Sequence, residues 1–345
     1  MANNEPLLDI KDLKTYFFLD EGTVKAVDGI SFSIRRGETT CVVGESGCGK
    51  TVMGRSILQI VDPPGRIVSG SITLHLGTGG SDGSQPPQDI VLTDYKPTSR
   101  AMRVIRGSEI SMIFQEPLAA LSPVHTIGNQ IMEAMQVHLS ISKKEARQRA
   151  VEMLSRVGIP KPEQRIDNYA FQLSGGMRQR AMIAIALVCN PSLLIADEPT
   201  TALDVTTQAQ ILDLLHQSQQ ELGMSVMLIT HDLGVVAEVA DSVIVMYLGS
   251  VVEQGDVRSI FHDPKHPYTR ALLRSIPQVG IKSRQRLDTI SGMVPHSYNR
   301  PAGCAFHTRC DRVIAGLCDV QEPPHVLVGQ GREVRCWLYG EKGGE

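Results

Sequence analysis

TTCVVGESGCGKT, residues 39–51, joins an apolar run to a glycine-rich turn that ends in a lysine and a threonine. Its first part, TTCVVG, has the length and the β-branched, apolar content of a buried strand. GESGCGKT, Gly44–Thr51, then fits the phosphate-binding pattern G-x-x-x-x-G-K-[ST]. Glycines in such a loop let the backbone N–H groups of Gly44, Glu45, Ser46, Gly47, Cys48 and Gly49 turn inward around phosphate oxygens. The helix that follows, predicted from about Thr51 to Val61 and stopped by Pro63-Pro64, offers its positive end to the same anion. Lys50 can reach β- and γ-phosphates, and the Thr51 hydroxyl can ligate Mg²⁺. The competing reading is a chance glycine-rich turn, and the strand before and helix after argue against it.

Downstream, SLLIADEP (Ser192–Pro199) is an apolar strand ending in two adjacent carboxylates. After a phosphate loop, Asp197 is expected near the Mg²⁺ shell, and Glu198 is expected to orient or deprotonate an attacking water. SLLIAD and SVMLIT alternate with helical segments such as TQAQILDLLHQSQQEL, which implies a mainly parallel sheet covered by helices. Ser142 and Glu145 read as a capping box before ARQRAVEMLSRV, with Gly158 at its C-terminal end. Residues 77–98, rich in Gly, Ser, Pro and Asp, read as an exposed excursion from a β-rich edge.

Composition narrows the class. The chain has 345 residues, enough for two domains, with 42% hydrophobic and 21% charged residues. A formal net charge of -3 gives no electrostatic footprint for nucleic acid. MANNEPLLDI has no apolar run of a secretory signal, and AMIAIALVC is too short to span a bilayer. A cytosolic chain is expected, whose membrane role, if any, runs through partners.

LSGGMRQR, Leu173–Arg180, narrows the reading further. Ser174, Gly175 and Gly176 stand where a helix N-terminus makes an anion site, yet no lysine or metal ligand accompanies them. With the phosphate loop and ADEP, this segment resembles the signature motif of the ATP-binding subunit of an ABC transporter, which completes the ATP site of an opposing subunit. Other elements follow in the family's order. Gln115 in IFQEP resembles the Q-loop glutamine, a Mg²⁺ contact; TALD, Thr201–Asp204, resembles the D-loop; His231 in LITHD resembles the switch histidine. An aromatic in KTYFF should stack on adenine, and counting from Leu13 selects Phe17 over Tyr16. The signature's fifth residue is Met177 where many members have Gln.

The resemblance implies an α/β P-loop ABC ATPase core over residues 1–257: a mainly parallel sheet with helices, a small antiparallel β part and a helical subdomain at about 116–172. EPLAALSPVHTIG, Glu116–Gly128, would line the groove for a transmembrane partner, with Ser122 where relatives often carry Asn. FHDPKHPYTRALLRSIP, Phe261–Pro277, closely resembles the C-terminal extension of dipeptide and oligopeptide importer ATPases, so residues 258–345 are expected to be an extension of that type, a small cysteine-containing C-terminal domain. The implied partners are two transmembrane permease subunits, a paralogous ATPase subunit and an extracytoplasmic solute-binding protein. The implied place is the cytoplasmic face of the membrane, held peripherally. Related systems carry oligosaccharides or nickel. A soluble ABC ATPase would show a coiled-coil insertion or tandem cassettes, and a P-loop kinase would lack LSGGM.

Cys304, Cys310, Cys318 and Cys336 make four of seven cysteines and fall together in the tail. A cytosolic setting argues against disulfides, leaving free thiols or a metal. The spacing lacks the C-x₂-C pairs of zinc ribbons. Four thiolates can nevertheless close a tetrahedral site, for zinc (with His307 as a further candidate) or for iron and sulfur. Peptide importer ATPases that PAGCAFHTRC resembles hold a [4Fe–4S] cluster there, so the resemblance implies that cluster on these four cysteines.

Overall fold

The computed structural model describes residues 5–77, 88–201, 203–275, 290, 292–329 and 331–340. Its strands are β1 (Pro6–Leu19), β2 (Gly22–Arg35), β3 (Thr39–Val43), β4 (Gly65–Leu76), β5 (Gln88–Val91), β6 (Ile110–Ile113), β7 (Leu193–Asp197), β8 (Ser225–Ile229), β9 (Ser242–Tyr247), β10 (Ser250–Asp256), β11 (His325–Gly329) and β12 (Arg332–Arg335). Its helices are α1 (Lys50–Ile57), α2 (Arg100–Ser108), α3 (Pro117–Ala120), α4 (Ile127–His138), α5 (Lys143–Arg156), α6 (Pro162–Arg165), α7 (Gly175–Leu187), α8 (Val205–Leu222), α9 (Leu233–Val239), α10 (Val257–His262) and α11 (Pro267–Arg274). They divide into two compact units. One is Met1–Leu7, Ile34–Glu38 and Asp94–Leu228; the other is Leu8–Ser33, Thr39–Thr93 and Ile229–Glu345.

In the unit holding the phosphate loop, an antiparallel sheet runs in the order β2-β1-β4-β5. Its alternating pattern buries Leu8, Ile10, Ile30, Phe32, Ile72 and Leu74, as period-2 strands with one covered face do. Most of the predicted polar excursion, residues 78–87, lies outside the described residues; its end, β5, pairs with β4. A second set runs β11-β12-β10-β9-β3, with β3 and β9 parallel. The β9–β10 turn has Leu248 and Gly249 both at positive φ, the two-residue geometry that suits the twist of paired strands. Gly249 then donates its N–H to the Cys48 carbonyl at 2.9 Å, so this hairpin tip supports the phosphate loop.

The tail does not stand apart in this fold. β12 pairs antiparallel with β10, and β11 with β12, so β11 and β12 form a hairpin on the sheet that carries β3. A separate cysteine-containing C-terminal domain, expected from the sequence, is not what the described residues display. The join is electrostatic as well. Glu253 of β10 is fully buried, accepts the N–H groups of Lys265 and His266, each at 2.8 Å, and meets Arg332 of β12 at 2.9 Å. Truncating one partner of such a pair costs on the order of 3–5 kcal/mol, because the other charge stays buried and uncompensated.

In the other unit, β6 and β7 are parallel, pairing Ile110 with Leu193 through Ile113 with Ala196, and β8 lies beside β7. Helix α4 buries Ile127, Ile131, Met132 and Met135, and α5 buries Ala146, Ala150, Met153 and Leu154. Their 3–4 residue spacing makes the stripe each helix packs. Ser142 caps α5 by accepting the Glu145 N–H at 3.2 Å; the Glu145 carboxylate, however, pairs with Arg149 at 2.8 Å, so half of the expected capping box forms. Gly158 ends α5 at φ 75°. Helix α1 is shorter than predicted: Gln59 takes φ 51° and donates its side-chain amide to the Leu92 carbonyl, which ends the helix before the prolines. Among the described residues no helix is long and apolar enough to cross a membrane.

Candidate functional site

The phosphate loop is glycine-dependent at two positions. A Cβ on Gly44 would fall 2.2 Å from the Met246 carbonyl oxygen, and one on Gly49 would fall 2.1 Å from that of Ala26. Both also take positive φ, 152° and 101°. Ser46 and Gly47 form the exposed crest. Lys50 is buried, its ammonium donating to the Gly44 and Glu45 carbonyls at 2.7 and 3.1 Å and lying 3.7 Å from the Cys48 sulfur. A phosphate entering the loop competes for the same ammonium. Helix α1 starts from Gly49 with no side-chain cap hydrogen bond. Thr51 opens the same helix. The loop therefore presents backbone donors, a helix N-terminus and one cation, the set an anion requires.

Phe17 and Tyr16 part company across β1. Phe17 pairs with Gly65, where an added Cβ would fall 2.5 Å from the Phe17 ring. Two residues earlier, Thr15 faces α1, its hydroxyl 2.8 Å from that of Ser56. Tyr16 instead donates its hydroxyl to Asp28 at 2.5 Å, and Asp28 also pairs with Arg300 at 2.7 Å. Burial, reinforced by that bond, pushes the Tyr16 phenol up.

Glu45 is the unexpected member of the loop. Its N–H is taken by the Tyr268 hydroxyl at 2.9 Å, and its carboxylate by Arg309 at 2.7 and 3.0 Å. Its backbone N–H, grouped with the phosphate donors from sequence alone, thus points to Tyr268. Tyr268 belongs to the HPYT run, which carries no recognisable chemistry as sequence, and Arg309 lies between Cys304 and Cys310. Pairing over more than 220 residues leaves no local signal, so sequence reasoning missed both.

In the other unit, the parallel strands β6 and β7 end side by side and bring Gln115 and Glu198 together. The Gln115 amide donates to the Glu198 carboxylate at 2.9 Å, and the Thr201 hydroxyl donates to the same oxygen at 2.9 Å. Asp197, at the end of β7, is buried, and Glu198 sits at φ 46°. Carboxylates just past parallel strand ends are the usual place for ligand chemistry in α/β folds. Ser174 caps α7, accepting the Met177 N–H at 3.4 Å. Gly175 is exposed, and a Cβ there would meet nothing within 4 Å, so the chain by itself does not need glycine there. His231 is exposed, directly before Asp232, which caps α9. Ala202, within the D-loop-like TALD, lies outside the described residues.

The four tail cysteines are neighbours: each of Cys304, Cys310 and Cys336 is raised in part by the charge of others in the set, Cys318 included. Burial is the main cause, pushing Cys310 up to about 11 and Cys336 to about 12. None of the seven cysteines is joined in a disulfide. Among the described residues no three His, Cys, Asp or Glu side chains are gathered as one metal ion needs, so the expected metal site is not borne out as a ready-made ligand group. His307 lies with Nδ1 2.9 Å from the Cys304 carbonyl oxygen.

Comparison with known proteins agrees with this architecture. Residues 27–201 match the ABC transporter family, and residues 252–318 match the oligopeptide/dipeptide transporter C-terminal region. The chain belongs to the ABC transporter family of ATP-binding proteins, and is an ATPase of that class. Within it, the chain is 50% identical to the oligopeptide transport ATP-binding protein AppD of Bacillus subtilis, covering 98% of both chains. It is 45% identical to the dipeptide transport ATP-binding protein DppD of Escherichia coli, covering 96% of both. Among solved structures, the ATP-binding cassette MJ0796, dimeric and bound to ADP and Pi, is 26% identical with a TM-score of 0.62, covering 73% of this chain and 99% of that one.

Proposed function

We propose that this chain is the ATP-hydrolysing subunit of an importer of di- and oligopeptides, working at the cytoplasmic face of the membrane with two transmembrane permease subunits, a paralogous ATPase subunit and an extracytoplasmic solute-binding protein. The observation that carries it is the match of residues 252–318 to the oligopeptide/dipeptide transporter C-terminal region, on a chain alike over its length to peptide and dipeptide transport ATP-binding proteins. In this reading residues 1–257 are the ATPase and 258–345 the extension. Lys50 and the loop hold the β- and γ-phosphates, and Thr51, Gln115 and Asp197 serve Mg²⁺. Glu198 activates water, His231 senses the γ-phosphate, and Phe17 stacks on adenine. Ser174, Gly175 and Gly176 serve the opposing subunit's nucleotide; the open space at Gly175 supports that role.

The cysteines enter the same proposal. Four neighbouring thiols are a donor set of the kind that holds a [4Fe–4S] cluster. Zinc is the alternative for the same four thiols. Cys304, Cys310, Cys318 and Cys336 would hold the cluster, and its contribution would be structural.

Reconstitution tests the proposal. The isolated chain is expected to turn over ATP slowly, because no second signature segment faces its loop; adding the permease and partner ATPase should restore hydrolysis and peptide uptake. Glu198→Gln should retain ATP and lose on the order of 10²-fold or more in rate, the scale of general-base catalysis. Equal turnover by the isolated chain and the assembly, or peptide-independent uptake of sugars, would refute it.

A further inference from the structure

An acidic residue inside an anion-binding loop is an electrostatic problem. Glu45 is the second residue of GESGCGKT, and a free carboxylate there would repel the phosphates the loop is built to receive. Glu45 is not free. Arg309 takes both carboxylate oxygens, at 2.7 and 3.0 Å, in the two-pronged geometry that guanidinium and carboxylate share. The Arg309 side chain is 3% exposed against 23% for Glu45, so the guanidinium is shielded from the solvent screening that weakens surface pairs while the carboxylate keeps a face toward solvent. The guanidinium also donates to the Tyr247 hydroxyl at 3.3 Å. Around it stands an aromatic wall: Tyr247 and Tyr268 with centroids 4.7 Å apart, and Phe306 5.2 Å from the first and 5.3 Å from the second. Tyr268 meanwhile holds the Glu45 N–H. Arg309 has its own anchor, donating its N–H to the Phe306 carbonyl at 3.0 Å.

We infer that Arg309 is a positioning residue of the nucleotide site: it neutralises Glu45 and turns it toward the aromatic wall, so that the cysteine-bearing tail completes the phosphate loop. The inference rests on the loop being the ATP site. Direct titration of the full-length chain with a fluorescent ATP analogue and Mg²⁺ tests it, with thermal melting to confirm folding. Arg309→Gln should weaken binding about tenfold, within the range of energetic coupling between linked groups. That loss should shrink as salt rises from low to high concentration, since the exposed charge left behind is screened. The double variant Arg309→Gln with Glu45→Gln should regain most of the affinity, because the stranded carboxylate is gone; a packing role for Arg309 would show neither rescue nor salt dependence. Glu45→Gln alone should bind ATP at least as well as the unaltered chain, which keeps the test decisive if Arg309→Gln does not fold. Affinity unchanged within twofold in folded Arg309→Gln, a loss that Glu45→Gln does not relieve, or a loss in Glu45→Gln alone would each overturn the inference. Failure of the unaltered chain to bind ATP would remove the nucleotide site, and the inference with it.

Discussion

Two adjacent aromatics, Tyr16 and Phe17, show how much a single position decides. Alternation along β1 sends them to opposite faces. Tyr16 is committed to Asp28 and, through it, to the Arg300 ion pair. Phe17 lies against Gly65, and Thr15, two residues earlier, bonds Ser56 of the phosphate-loop helix. Phe17→Ala is expected to weaken ATP binding roughly two- to tenfold, the worth of one aromatic stack at about 0.5–1.5 kcal/mol. Tyr16→Phe should leave affinity within about twofold and cost about 1 kcal/mol of stability for the lost hydrogen bond. Nucleotide titration and thermal melting of both variants check this; the reverse ranking of affinities would assign adenine to Tyr16.

At the scale of elements, the turn into α11 is held by a histidine that stays neutral. His266 caps α11 by accepting the Tyr268 N–H at Nδ1, 3.0 Å away. Burial, with a smaller contribution from the Arg270 charge, lowers its pKa from 6.5 to about 3. Above pH 6.5 both the folded and unfolded chains carry neutral His266, and its contribution is complete. As pH falls from 6.5 toward 3, the unfolded chain binds a proton that the folded chain refuses, and stability drops by about 1.4 kcal/mol per pH unit. His266→Asn keeps an acceptor for the Tyr268 N–H and removes the titration. Its melting temperature should therefore fall less steeply between pH 7 and pH 5 than that of the unaltered chain. Parallel slopes would place the acid sensitivity in another group.

For the whole molecule, the tail is the decisive part. Its β11–β12 hairpin extends the sheet of β10, β9 and β3, and its Arg309 reaches the phosphate loop. Loss of order among the four cysteines would therefore reach the phosphate loop. Chain purified without oxygen is expected to be brown and to contain iron and acid-labile sulfide. Cys318→Ser, removing a buried thiol of the set, should bleach it and lower the melting temperature. Colourless protein with stoichiometric zinc would select the alternative, and metal-free protein with four titratable tail thiols would reject both.

The sequence by itself determined the phosphate loop, the ADEP strand end, the signature segment and the family, because each is a local run whose chemistry depends on neighbours within about ten residues. The α7 start at Ser174 and the α5 end at Gly158 were legible for the same reason: capping is local. Tertiary structure decided what depends on distant partners. Gln59 ends α1 early because the Leu92 carbonyl waits for its amide. Glu145 leaves half its capping box unmade because Arg149 competes for it. Glu45 turns away from the phosphate donors because Tyr268 and Arg309, more than 220 residues on, supply an acceptor for its N–H and a counter-charge for its carboxylate. No spacing rule encodes such pairs; only the folded chain brings an acid and its base to hydrogen-bond distance.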